Sequence, residues 1–352
     1  MRDGQRQHTL SKSFEPALRT LAWLLPGRFD DSDLIAECIF TTLNLISIHE
    51  DTKNANRFKH FKDNDHTRFI NDCKWGRLHS LSSKSLSIIN SVQLLGEILL
   101  NRREKKKSSI NNGKQRWNYI VMVETIKFVL KLIIIFKSNF RPIIHPVIPS
   151  REVDVTLDPE YLYKDKPKSI RDFRKDYGYS LNKYLNSVAL NSDQLVPPKS
   201  LVRPLSTPTS LISELIFTFE PLAYALALKF QFDRTNNRFK PWRTKLEWNP
   251  ILISIALSLI ARQLKNSNNK YTKFSPYHYQ FNKSKIESDE DISRNKNLIH
   301  YLFKGPIWSD FTKPKLLYLI QKFDNWPLIN IGTNILGDYI PLIDNYHFYI
   351  CQ

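Results

Sequence analysis

The chain has 352 residues, with 52 Lys+Arg against 34 Asp+Glu and a formal net charge of +18. That length allows two domains, or one large helical body with long insertions; 41% hydrophobic and 12% aromatic residues are enough for a real core and exclude global disorder. Glycine is scarce (9, against 19 Pro) and neither G-x-G-x-x-G nor G-x-x-x-x-G-K-[ST] occurs, which argues against a nucleotide-binding loop.

The N-terminus stays polar as far as Leu10, without the apolar stretch of a secretory signal. Leu18, Leu21, Trp23, Leu24 and Leu25 form an apolar stretch broken by Pro26-Gly27. The cluster Asp30-Asp31-Ser32-Asp33 then suits a helix N-cap, and Leu34, Ile35, Cys38, Ile39, Thr42, Leu45, Ile46 and Ile48 recur at helical spacing. A helical hairpin is predicted over 14–49. Residues 51–79 are polar and rich in Asn, Asp and His, and read as a loop or an insertion.

Another helix is predicted over 86–100, with Ile88, Ile89, Val92, Leu95, Ile98 and Leu99 on one broad face. The character then changes. Arg102, Arg103, Lys105, Lys106 and Lys107 put five basic residues into six positions. Residues 101–141 hold eleven Lys/Arg and two acids, a net +9 and half the charge of the whole chain. Within this segment, 119–136 is mostly apolar, but Glu124, Lys127 and Lys131 share one helical face. In a lipid-facing span each charge would cost roughly 2.5–3.5 kcal/mol near the centre. An amphipathic helix at the interface, or a helix whose charges pair inside a bundle, fits better.

Residues 141–208 are rich in proline and charge and read as a linker. Thr207-Pro208-Thr209-Ser210 caps a predicted helix over 211–230, interrupted at Pro221 and carrying Glu214 and Glu220. Pro250 opens an apolar helix over 251–260, too short to cross a bilayer. Residues 265–297 read as a second loop; helices resume at 298–303 and 314–323, and an aromatic tail closes the chain. The C-terminal Cys351-Gln352 is neither a prenylation box nor a Ser-Lys-Leu address. The predicted class is all-α: a membrane-associated multi-helix body with long polar and Pro-rich insertions. Its expected parts are an N-terminal helical region (1–140), a Pro-rich linker (141–208) and a C-terminal helical region (209–352).

Chemistry-bearing patterns are weak. His49-Glu50-Asp51 with His60 and His66 matches no closed metal-ligand spacing, no nucleophile turn is present, and Cys38 sits on an apolar helical face. The three scattered cysteines Cys38, Cys73 and Cys351 offer no disulfide framework, so a reducing compartment fits best. Neither catalysis nor a cofactor is expected. The basic run 102–107 has three readings: a solvated loop, a membrane-surface contact worth about 1 kcal/mol per cation on anionic lipid, or nucleic-acid binding. The membrane reading is favoured because the run flanks an apolar helix, with Arg102, Arg103, Lys105, Lys106, Lys107, Arg116, Trp117, Lys127 and Lys131 as its candidate contacts. A soluble basic helical protein binding nucleic acid is the alternative. Trp23, Trp117, Trp242 and Trp308 read either as interfacial anchors or as core residues.

Several blocks, in order along nearly the whole chain, resemble the peroxin-16 family. The first is Leu24-Leu25-Pro26-Gly27-Arg28-Phe29-Asp30-Asp31-Ser32, ahead of an acidic and then apolar helix; a second is Arg116-Trp117 leading into the helix to Phe136. Others are Thr207-Pro208 opening the helix to Glu220-Pro221-Leu222, where the family usually carries Arg in place of Glu220, and Lys240-Pro241-Trp242. The last are Gly305-Pro306-Ile307-Trp308 and Asp338-Tyr339-Ile340-Pro341 with Tyr346, Phe348 and Tyr349. The resemblance implies a non-enzymatic peroxin in the peroxisomal membrane, reached in some members through the endoplasmic reticulum. It also implies recruitment of membrane proteins with peroxin-3 and peroxin-19, or in some fungal relatives restraint of peroxisome division. The Asn-, Ile- and Lys-rich composition resembles that of an AT-rich fungal genome.

Overall fold

The computed structural model describes residues 17–22, 32–57, 66, 69–70, 75–107, 114–148, 201–205, 207–236, 248–273, 284–296, 299–323 and short pieces between 332 and 348. All regular structure among them is helical, and no strand occurs among the described residues. The elements are α1 (Ser32–Arg57), α2 (Arg77–Lys107), α3 (Lys114–Lys137), α4 (Pro208–Asn236), α5 (Asn249–Lys273) and α6 (Lys285–Lys296). A 3₁₀ segment (Ile299–Phe303), a helical turn (Gly305–Ile307), a π-turn (Trp308–Thr312) and α7 (Lys313–Phe323) follow. α1 packs on α2, α2 on α3, α3 on α4 and α4 on α5, so neighbours in sequence are neighbours in space.

Local chemistry accounts for the boundaries. A short helix over 17–22 is tied to α1 by Arg19 Nη1 donating to Asn44 Oδ1 at 3.3 Å, which completes the expected hairpin. Thr207 caps α4 through Ser210 N–H to its Oγ1 at 3.3 Å, with Pro208 at the first position, where its missing N–H costs nothing. α3 ends at Lys137, and after Ser138 the residues Asn139 (φ 55°) and Phe140 (φ 53°) turn the chain back through left-handed backbone. Phe140 N–H closes that turn on Ile135 O at 3.0 Å.

Several helices are longer than their apolar patterns. α1 continues to Arg57 and α2 begins at Arg77, so the polar segment expected over 51–79 is helical at both ends. Polar residues without Gly or Pro do not stop a helix, and Thr52 and Asp51 bond back one turn, to Ile48 O and from Ser47 Oγ. The basic run is the last turns of α2, not a loop; cations at a helix C-terminus complement its dipole. α4 runs without a break through Pro221. The expected second loop over 265–297 contains the end of α5 and all of α6.

Three apolar clusters hold these parts. Ile120 and Val123 of α3, Tyr224 and Ala225 of α4, Ile251 of α5, Tyr301 and Phe348 form the first. Tyr224 and Phe348 stack at 5.7 Å, which docks the aromatic tail in the centre. Leu86, Ile134, Ile135 and Ile143 form the second; Phe69, Ile144, Leu201, Val202 and Ile286 form the third. Both ends of the Pro-rich segment are therefore core, and 149–200 lies outside the described residues. Each fully buried Ile or Leu contributes about 1.5–3 kcal/mol relative to exposure.

Candidate membrane interface

The α2–α3 hairpin is built around charges turned inward. Glu104, the one acid within the basic run, accepts the backbone N–H of Gln115 at 2.9 Å and Arg116 at 3.1 Å. It thereby satisfies first-turn donors of α3 and puts a carboxylate on the positive end of that helix. Arg116 reaches Glu97 of α2 with Nε at 2.8 Å and Nη2 at 2.6 Å from Oε1, and burial pushes the Glu97 carboxyl up despite that cation. Lys127 donates to Glu124 at 2.9 Å and to Gln93 of α2 at 3.0 Å, and all of its side chain but 7% is buried. Gly96 of α2 lets the helices close. A Cβ there would lie 2.0 Å from the Tyr119 hydroxyl, which donates to Gln93 O.

The expected contact set therefore divides. Arg116 and Lys127 serve ion pairs within the bundle, and the second of the two readings for α3, charges paired inside, describes Glu124 and Lys127. Arg103 is exposed, while Arg102 and Lys131 are half-buried. Lys105, Lys106 and Lys107 belong to α2, with side chains outside the described residues. Trp117 packs against Phe232 and the main core, and Trp308 is buried with its indole N–H on Asp344 at 2.7 Å. Of the four tryptophans, Trp308 is core and Trp117 is half-buried against the core; Trp23 and Trp242 lie outside the described residues.

Outward faces carry the opposite chemistry. α3 exposes Met122, Ile126, Val129 and Phe136; α4 exposes Ile212, Phe219, Leu226 and Phe230, the last at 69%; α5 exposes Leu252, Ile253, Leu259 and Ile260. These spacings keep each set on one helical face. Soluble monomers rarely present contiguous apolar stripes on three neighbouring helices. Small polar residues, Ser213, Ser254 and Ser258, line the α4–α5 contact, where Ser213 donates to Ala261 O at 2.7 Å. That pattern suits helices packed in lipid. Among the described residues one helical stretch, Pro208–Asp233, is long and apolar enough to cross a membrane by length and composition.

Glu214 and Glu220, the two acids in the interior of that stretch, are both partnered by protein. Glu214 takes a two-pronged contact from Arg294 of α6 and accepts Ile143 N–H at 3.1 Å. Arg294 also donates to Glu290 at 2.9 Å and to Ile143 O at 3.1 Å, with Phe217 beneath its guanidinium. Glu220 accepts from the Tyr301 hydroxyl and from Ser254 Oγ at 3.1 Å. The sequence pattern around 265–297 hid Arg294, Glu290 and Asp291, because the segment reads as a charged loop. A signal was nonetheless present: Ser284 and Glu287 stand at capping-box spacing, and Glu287 N–H does donate to Ser284 Oγ at 3.3 Å.

Residues 6–345 match the family model described as peroxisomal membrane protein (Pex16). The chain belongs to the Pex16 family. It is accordingly an all-α peroxisomal membrane protein concerned with peroxisome biogenesis, and Pex16 is not a known enzyme family. No solved structure matches this Pex16 chain. Of its family-motif positions, Ser32 is buried at the start of α1, Pro221 lies within α4, and Pro306 is buried beside Trp308. Tyr339 and Pro341 are described in the tail near buried Ile340. Gly27, Arg28, Phe29, Asp31, Lys240, Pro241, Trp242 and Asp338 lie outside the described residues.

Proposed function

We propose that this Pex16 protein helps to assemble the peroxisomal membrane by recruiting other membrane proteins, working with peroxin-3 and peroxin-19, from a seat in the bilayer. The observation that carries the seat is the inversion of chemistry across α3, α4 and α5. Apolar side chains face out, while Glu124, Lys127, Glu214 and Glu220 are partnered within. In hydrocarbon that arrangement lowers the cost of bare charge at these four groups and turns a largely apolar surface to lipid. The basic turns at 102–107 supply a second attraction, to anionic headgroups, and the peroxin partners follow from the family resemblance. Passage through the endoplasmic reticulum belongs to the same reading.

A fluorescently tagged copy, followed by carbonate extraction of the same membranes, tests the seat. Peroxisomal signal that resists carbonate is expected; release by carbonate would replace the embedded seat with a peripheral one. Cells lacking the protein should fail to deliver newly made peroxisomal membrane proteins. Normal delivery with altered peroxisome number would point to control of division instead. Replacing Arg102, Arg103, Lys105, Lys106 and Lys107 by Gln should weaken vesicle binding or targeting, and unchanged behaviour in both would remove the basic run from the interface.

A further inference from the structure

Helix α7 reads Lys-Pro-Lys-Leu-Leu-Tyr-Leu-Ile-Gln-Lys-Phe and contains no acid. Leu316, Leu319, Ile320 and Phe323 fall three, four and seven positions apart and so share a face, which Leu317 extends. Lys315 and Lys322, seven apart, flank that face on the other side with Gln321 and Tyr318. None of the eleven residues is buried; Leu317, Tyr318 and Leu319 are exposed, Tyr318 at 64%. Among the described elements α7 packs essentially on the π-turn before it. Its root is nonetheless fixed. Lys313 Nζ and the buried Trp308 indole both bond Asp344, at 2.6 Å and 2.7 Å, so the helix leaves the core from a pinned start.

We propose that α7 is an in-plane anchor, lying on an anionic phospholipid surface with its leucine face in the acyl boundary and Lys315 and Lys322 on the headgroups. The charge decides the occupant: exposed lysines beside an apolar face, with no carboxylate on the helix, complement anionic lipid and allow the lysine stems to snorkel. The inference rests on the membrane reading above and adds a contact that neither the basic run nor α3–α5 supplies.

The test uses the full chain with Cys38, Cys73 and Cys351 replaced by Ala, and a polarity-sensitive fluorophore on Leu319→Cys or, as a control on the polar side, Gln321→Cys. Vesicles of phosphatidylcholine with phosphatidylinositol are the probe, and flotation is read on the same samples. The label at 319 should shift to the blue, become quenched by brominated lipid and escape aqueous iodide, while the label at 321 stays open to iodide. Lys315→Gln with Lys322→Gln should weaken that docking roughly fivefold per lysine. A chain that floats but keeps its 319 label in water overturns the anchor alone; a chain that does not float overturns the membrane reading with it. Shielding at 319 without lipid would assign the face to a second protein surface and also overturn the anchor.

Discussion

Arg294 grips Glu214 with both terminal nitrogens of its guanidinium, Nη1 to Oε2 at 2.7 Å and Nη2 to Oε1 at 2.8 Å. The pair joins α6 to α4 across eighty residues of sequence and is closed to water on both sides, with side-chain exposures of 12% and 4%. Removing only the cation would leave two buried carboxylates, Glu214 and Glu290, without their shared partner. Arg294→Met should therefore cost about 3–5 kcal/mol, and Arg294→Lys a part of that, because an ammonium cannot make the fork. Adding Glu214→Met to Arg294→Met should recover stability, and thermal unfolding of the four proteins in one detergent reads the comparison. No loss in Arg294→Met would mean that the node holds nothing together.

The same node sets an acid limit. Burial pushes the Glu290 carboxyl up, but the His145 hydrogen bond and the charges of His145 and Arg294 outweigh it and hold the group at about 2, against an ordinary 4.5. A carboxyl depressed by folding stabilises above its unfolded value and loses that contribution as pH falls from about 4.5 towards 2. Glu290→Gln should flatten the acid limb of the stability profile over that window, with the difference from the parent fully present near neutral pH. Equal acid limbs in both proteins would show that Glu290 does not govern it.

Glu220 depends on Tyr301 more than on any feature of its own helix. Tyr301→Phe keeps the ring under Lys304, whose Nζ lies 4.9 Å from the ring centre, and removes only the hydroxyl. Glu220 is then left with Ser254 Oγ at 3.1 Å. Glu220 is only partly buried, so the expected cost is about 1 kcal/mol, that of an ordinary hydrogen bond rather than of a fully buried acceptor. In a Glu220→Leu background the same Tyr301→Phe change should cost less, and an unchanged cost in that double-mutant comparison would show that the two residues are not coupled.

Glu104 sits among five cations, yet its work is to cap the following helix through Gln115 and Arg116. Glu104→Ala should destabilise the α2–α3 hairpin by about 1 kcal/mol. Hydrogen exchange should speed up first at the amides of residues 115 and 116, and uniform exchange across α3 would contradict the cap.

Helix positions were legible wherever a residue type has one dominant local use. Thr207-Pro208 opened α4 and Pro250 opened α5 because proline and a hydroxyl at those positions satisfy or remove orphan N–H groups. Helix ends were not legible, because α1, α2 and α5 continue through polar residues with no Gly or Pro to stop them. The spacing of Glu124, Lys127 and Lys131 left an interfacial helix and inward-paired charges both open; the partner Gln93, on another helix, was not legible. Arg294 was invisible for a similar reason. Its partners Glu214 and Ile143 lie 80 and 151 residues away, and only packing brings them together.

Glu37 supplies a test at the alkaline end. Burial against α2 raises its carboxyl from 4.5 to about 7, and the Thr41 hydroxyl, 3.5 Å away, offsets only part of that. Thr41 also bonds Ser91 O at 3.3 Å, so the group sits within the α1–α2 contact. An acid whose value is raised by folding keeps its proton in the folded chain after the unfolded chain has lost it. Stability therefore falls as pH climbs from about 4.5 to about 7, and the penalty is complete above that. Glu37→Gln imitates the protonated form and carries no such penalty. It should match the parent at about pH 4 and unfold at a higher temperature by about pH 8, with the gap opening across the window between. Thermal unfolding at closely spaced pH values decides the matter, since a gap that does not change with pH would mean Glu37 is ionised in the folded helix pair and solvated there.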